Sequence, residues 1–264
     1  MQIGIISDLH TEFWKPIHDQ IERKVHSLLA DADLILMAGD IGLGTDAINV
    51  ASRLFPDKPV FLVAGNHEFY NGDYAEVIDG LRSAALRSVN VQFLQQEAAF
   101  IEVGDKNLRI LGTTLWTDFN LHGTPDMSMF DARVLNDFQY ISNGLAMLVP
   151  RDTLAWHMEQ RAWLLEALDK DHDGPTVILT HHAPVSFAIS PQFTGDNLSP
   201  CFASRMEEML IRDNLPLVVW GHTHHCVDRQ IETTRFVSNQ TGYPVSVLNL
   251  ALTETRQYGQ VVTL

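Results

Sequence analysis

The chain has 264 residues, 45% hydrophobic and 19% charged, with 33 acidic against 18 basic side chains and a formal net charge of -15. That apolar content supports a large core and excludes a disordered tail. The acidic balance, with no run of Lys or Arg to relieve it, disfavours nucleic acid and anionic membranes as partners, so any phosphate chemistry needs local positive charge such as a bound metal.

The opening stretch "MQIGIISDLH" lacks a basic flank and is interrupted by Asp8, so it reads as a strand rather than a signal peptide. No segment approaches the roughly 18 apolar residues of a membrane span. Cys201 and Cys226 form neither a CxxC nor a disulfide framework, which fits a reducing compartment and predicts a cytoplasmic location. The length, with no Gly/Ser-rich or Pro-rich linker, predicts one domain over 1–264.

In chain order, five short runs rich in β-branched and other apolar residues end in polar groups: "IGIIS" before Asp8, "DLILMAG" before Asp40, "PVFLVAG" before Asn66, "PTVILT" before His181 and "LPLVVWG" before His222. Near-continuous apolar runs of this length suit strands covered on both faces, as in α/β sheets. Helical spacing is found at 18–30, 73–87, 151–169 and 203–212. The stretch 108–116 reads as a further strand, and 235–252 as a hairpin with a "TGYP" turn, so a second sheet is expected. Residues 117–150 read as a long irregular insertion and 186–202 as a long loop; one of these is expected to help form a substrate pocket.

The polar ends carry the chemistry. Seven of the twelve histidines fall within 8–10, 65–68, 181–182 and 222–225. In an extended segment residues i and i+2 share a face, so Asp8 with His10, and His222 with His224, can chelate as pairs. Glycine just before Asp40, Asn66 and His222 allows a sharp turn or a close approach of backbone to a site. Two carboxylates, four imidazoles and one amide, without thiolate, suit divalent manganese, iron, zinc or nickel. Seven groups exceed one tetrahedral ion and suit two ions sharing a carboxylate, roughly 3.5–4 Å apart.

Taken in order, Asp-x-His, Gly-Asp, Gly-Asn-His-Glu, His and Gly-His-x-His resemble the five motifs of the calcineurin-like metallophosphoesterase superfamily, over residues 8–224. The resemblance implies an α/β fold, a four-layer α/β/β/α sandwich of two mixed β-sheets flanked by helices. It also implies a dinuclear metal-dependent phosphoesterase. Asp8, His10 and His224 would hold one metal, and Asn66, His181 and His222 the other, with Asp40 bridging; His181 is preferred to its neighbour His182. His67 would lie near the leaving-group oxygen as a general acid. Two ions would lower the pKa of a bridging water from about 15.7 towards neutrality, giving a hydroxide aimed at phosphorus, and an imidazole with an ordinary pKa near 6.5 can protonate an alkoxide.

Differences from subgroups narrow the expectation to mono- or diesters of a small molecule. "GDIGLG" lacks the "GDxVDRG" of protein Ser/Thr phosphatases, and Leu43 stands where purple acid phosphatases carry a metal-binding tyrosine. A nuclease or nucleotide phosphodiesterase is the alternative, and a noncatalytic metal-binding scaffold a remote one. Glu68 is expected to accept hydrogen bonds that hold the motif loop. Arg133 and Asp137 are expected to pair with each other, the alternative being contact with substrate phosphate, and His18, His26, His122, His157 and His172 to lie on the surface.

Overall fold

A computed structural model of the protein describes residues 1–14, 18–103, 106–243 and 257–264. Two large mixed sheets lie face to face. The first orders its strands as Gln260–Thr263, Gln2–Ile6, Leu34–Met37, Val60–Leu62 and Val91–Phe93, parallel except for the antiparallel edge strand Gln260–Thr263. The second runs Val227–Ile231, Thr234–Ser238, Leu217–Trp220, Thr176–Thr180, Lys106–Thr113 and Glu97–Val103; its central pairings are parallel and the two outer ones antiparallel.

Alternation along each strand sorts side chains into layers. Ile3, Ile5, Leu34, Leu36 and Phe61 of the first sheet meet Leu108, Ile110, Val177, Leu179, Leu217 and Val219 of the second in a dry interface. Residues between them, such as Ile6, Ile35, Met37 and Leu62, face outward and pack on helices Asp46–Leu54 and Tyr74–Arg87. The outer face of the second sheet, with Leu111, Ile178, Val218 and Trp220, is covered by Leu164, Ala167 and Leu168 of helix Pro150–Asp169. Helices outside, sheets inside: this is the expected four-layer sandwich. Among the described residues no helix is long and apolar enough to cross a membrane.

Three elements differ from expectation. The 203–212 stretch is not an α-helix; only Glu207–Met209 turns, as a 3-10 helix. Its apolar spacing does bury Met206 and Leu210, but Ser204 N–H donates to Ala183 O and Met206 N–H to Pro184 O, so a neighbouring chain takes the hydrogen bonds a helix would use. The 117–150 insertion is more ordered than predicted, with helices Pro125–Ala132 and Asp137–Tyr140; its strands Ile141–Asn143 and Ala146–Met147 form a small sheet with Gly72–Asp73. Strand Thr234–Ser238 finds its hairpin partner upstream, in Val227–Ile231, and the 244–252 part of the predicted hairpin lies outside the described residues.

Candidate metal centre

All five polar ends arrive at one edge of the sandwich, beyond the carboxyl ends of parallel strands, where ligands gather in open α/β sheets. At three of these ends the backbone turns left-handed: φ is 54° at Asp8, 46° at His10, 53° at Asp40, 69° at His222 and 48° at His224, whereas Asn66 keeps φ of -73°. Side chains other than Gly rarely adopt this region, and such strain concentrates at functional sites. The predicted extended i, i+2 pairs are therefore corrected. Asp8 and His10 converge because each turns left-handed, not because they share a strand face.

Two donor clusters result. In one, Asp8, His10 and His224 meet, with Nε2 of His224 3.4 Å from Oδ1 of Asp8 and 3.1 Å from Nε2 of His10. In the other, Nε2 of His181 lies 3.1 Å from Oδ1 of Asn66 and 3.2 Å from Nδ1 of His222. Oδ2 of Asp40 stands between them, 3.7 Å from Nε2 of His10 and 3.5 Å from Nε2 of His181. His182, the other histidine of that motif, packs its ring between His222, with centroids 4.1 Å apart, and Trp116, at 4.8 Å.

At His181 and His10 the second ring nitrogen fixes the tautomer. Nδ1 of His181 faces the carbonyl oxygen of Ala38 at 2.8 Å and can only donate there, so Nε2 carries the lone pair; Nδ1 of His10 faces Glu12 in the same way, at 3.4 Å. Lone pairs of His181 and His10 thus face the interior beside the carboxylates, an arrangement that suits a cation. Burial keeps the imidazoles neutral, lowering His10 to about 3 and His181 to about 4, and His222 well below the usual range. Burial, then the charges of Glu68 and Asp8, pushes Asp40 well above the ordinary carboxylate range. Burial acts on Asp8 too, but hydrogen bonding and charge from His224 outweigh it and bring Asp8 down to about 2. The donor set therefore fits divalent metal.

Backbone packing holds this geometry. A side chain at Gly65 would meet the Asp40 carboxylate and stand 2.6 Å from Cε1 of His181. At Gly221 it would stand 2.7 Å from both Oδ2 of Asp8 and the carbonyl of Ala38. Glu68, fully buried, accepts from the N–H groups of Asp40, Ile41, Gly42 and Gly65 and so ties the second motif to the third, as expected.

His67 sits beside the first cluster. Its ring is stacked on Tyr70, with centroids 4.2 Å apart, and its backbone N–H donates to Oδ1 of Asp40 at 2.9 Å. Nδ1 lies 2.9 Å from Oε1 of Glu12 and Nε2 lies 2.8 Å from the Tyr243 hydroxyl. Glu12, Tyr70 and Tyr243 were not singled out in the sequence. Glu12 carried the one available signal, standing two residues after His10 in "SDLHTEF".

Two expectations fail here. Asp137 does not pair with Arg133; buried, it accepts from Nδ2 of Asn66 at 2.7 Å and from the Tyr70 hydroxyl at 2.8 Å, while Arg133 lies over the Phe130 ring. His157 is not on the surface but fully buried, its Nδ1 2.9 Å from the carbonyl of Leu115. The register of helix Pro150–Asp169 turns this side chain inward. The side chain of His18 lies outside the described residues.

A cavity of about 380 Å³ opens beside the donor clusters, and both segments flagged earlier line it: Leu135, Asn136 and Asp137 from 117–150, and Ile189, Phe193 and Leu198 from 186–202.

Fold and motif order agree with the comparisons with known proteins. The calcineurin-like phosphoesterase model matches residues 1–226, and the chain belongs to that family. An uncharacterised protein of Acanthamoeba polyphaga mimivirus is 28% identical over 268 residues, covering 90% of each chain. Phosphopantetheinyl hydrolase of Mycobacterium tuberculosis superposes with a TM-score of 0.72 at 20% identity, over 99% of this chain and 95% of that one. A dimetal phosphatase from Danio rerio gives 0.51 at 14% identity, over 91% and 87%. Membership of this family supports a hydrolase.

Proposed function

We propose that the protein hydrolyses a phosphoester of a small molecule, using two divalent metal ions that share Asp40. The observation that carries this reading is the position of Oδ2 of Asp40 between the two donor clusters, 3.7 Å from one imidazole nitrogen and 3.5 Å from another. Asp8, His10 and His224 would hold one ion, and Asn66, His181 and His222 the other. Bound there, the ions supply an activated water and Lewis acidity towards the phosphoryl oxygens. A solved neighbour described as a dimetal phosphatase is in keeping with this.

The chain's own contribution is proton placement. Glu12 accepts from Nδ1 of His67 and orients the ring, so Nε2 is the atom presented to the leaving group. The Tyr243 hydroxyl stands at that atom, and a leaving-group oxygen would take its place. Tyr70 stacks on the other face of the ring and keeps it from rotating away.

The test is chelation followed by reconstitution. Protein stripped of metal should hydrolyse neither p-nitrophenyl phosphate nor bis(p-nitrophenyl) phosphate and should recover with manganese, iron, zinc or nickel. Full activity after thorough demetallation would reject the reading.

A further inference from the structure

We propose that the organic part of the substrate is uncharged and amphipathic, and that the site rejects esters bearing a second anionic group; this rests on the phosphohydrolase reading above. The cavity of about 380 Å³ falls in the size range of small-molecule sites. Among the described residues, none of its lining side chains is Lys or Arg. Its carboxylates are Asp40 in the donor cluster, Asp137 engaged by Asn66 and Tyr70, and Asp196, whose Oδ1 accepts from the N–H of Leu198 at 2.8 Å.

Among the described residues the metal ions, with a protonated His67 at the leaving group, would therefore supply the positive charge here, and the reacting phosphoryl group engages both. A second phosphate or carboxylate would enter the cavity unpaired and towards Asp196, which is unfavourable in a partly desolvated site. Apolar surface begins at the metal centre itself. The ring of Phe202 stacks on His222, with centroids 4.7 Å apart and planes at 22°. Leu198, Phe193, Ile189 and Leu135 also line the cavity. Gln192, Ser190 and Asn136 also line the cavity and offer neutral hydrogen-bonding groups, suited to amide or hydroxyl functions along a chain.

The experiment titrates metal-reconstituted full-length protein calorimetrically with methyl-, butyl- and hexylphosphonate and with hexane-1,6-bisphosphonate, all non-hydrolysable. Affinity should rise about fourfold per added methylene that is fully buried, the transfer value of a CH₂. The bisphosphonate should bind at least tenfold more weakly than hexylphosphonate. Phe193→Ser, at a position 37% exposed and so tolerant of a polar side chain, should weaken hexylphosphonate several-fold more than methylphosphonate; equal losses on both would count against an apolar wall for the tail. Flat affinity along the series, or a bisphosphonate that binds as tightly as hexylphosphonate, overturns the inference. Turnover of the corresponding alkyl phosphates separates the two readings. If chain length sets affinity but no ester is cleaved, the cavity preference stands and the phosphohydrolase reading falls.

Discussion

Asn66 donates its side-chain amide to the carboxylate of Asp137 at 2.7 Å, which leaves Oδ1 of Asn66 as the atom facing His181. An amide can present either end to a cation, and only the oxygen binds it. Asp137→Ala should therefore lower affinity at one of the two ion positions by about 10- to 100-fold, the usual cost of losing an outer partner of a metal ligand. Asp137→Asn, which keeps an acceptor, should recover part of that. Metal content after dialysis against limiting manganese reads the effect, and two tightly held ions in the alanine variant would contradict it.

Gly65 packs against both Asp40 and His181, where a methyl group would stand 2.6 Å from one imidazole carbon and 2.7 Å from the amide nitrogen of Asp40. Neither neighbour can retreat, because Asp40 N–H is held by Glu68 and Nδ1 of His181 by Ala38. Gly65→Ala should cost about 2 to 3 kcal/mol, in the range of overpacked cores, and should abolish metal binding. Chemical denaturation with metal analysis tests this; a stable variant with full metal content would show that the approach is not tight.

His67→Ala should slow esters with alkoxide leaving groups by about a hundredfold or more, within the range of general acid catalysis. Nitrophenolate esters, whose leaving groups need no proton, should lose far less. Glu12→Gln should follow the same pattern with a smaller amplitude, because Glu12 orients the ring without touching the substrate. Rates plotted against leaving-group pKa show it as a steeper slope, and parallel losses on both classes would remove His67 from that role.

The pH dependence of metal-free stability has a definite sign at His181. Burial is the main cause of its fall from 6.5 to about 4. Between those values the unfolded chain holds a proton that the folded chain excludes, so the stability tied to a neutral ring is complete above pH 6.5 and is lost as pH falls through 4. Asp40 and Glu68, both raised by burial, pull in the opposite sense, so the comparison must be with a variant. The gap between wild type and His181→Gln, whose side chain carries no titrating group, should change by about 3 kcal/mol against the wild type from pH 6.5 to 4. A constant gap would mean that the ring stays exposed to protons.

The layered sheets were legible because strands buried on both faces are apolar throughout and end abruptly at Asp8, Asp40, Asn66, His181 and His222. The convergence of those ends was legible from motif order. The left-handed turns that produce it were not, since Asp and His tolerate positive φ without requiring it. Asp137 was missed because its partner, Asn66, lies 71 residues away, and a charge nearby in sequence, Arg133, offered a simpler pairing. The 203–212 stretch misled because spacing reports which side chains are buried, not which carbonyls the backbone N–H groups find. Glu68 was read correctly because a carboxylate inside a tight glycine-rich loop has little to accept from except backbone.

Anomalous diffraction from crystals grown with manganese measures the central claim most directly. Two peaks roughly 3.5–4 Å apart, one among Asp8, His10 and His224, the other among Asn66, His181 and His222, with Asp40 contacting both, is the predicted result. One peak, or peaks away from Asp40, would contradict the account.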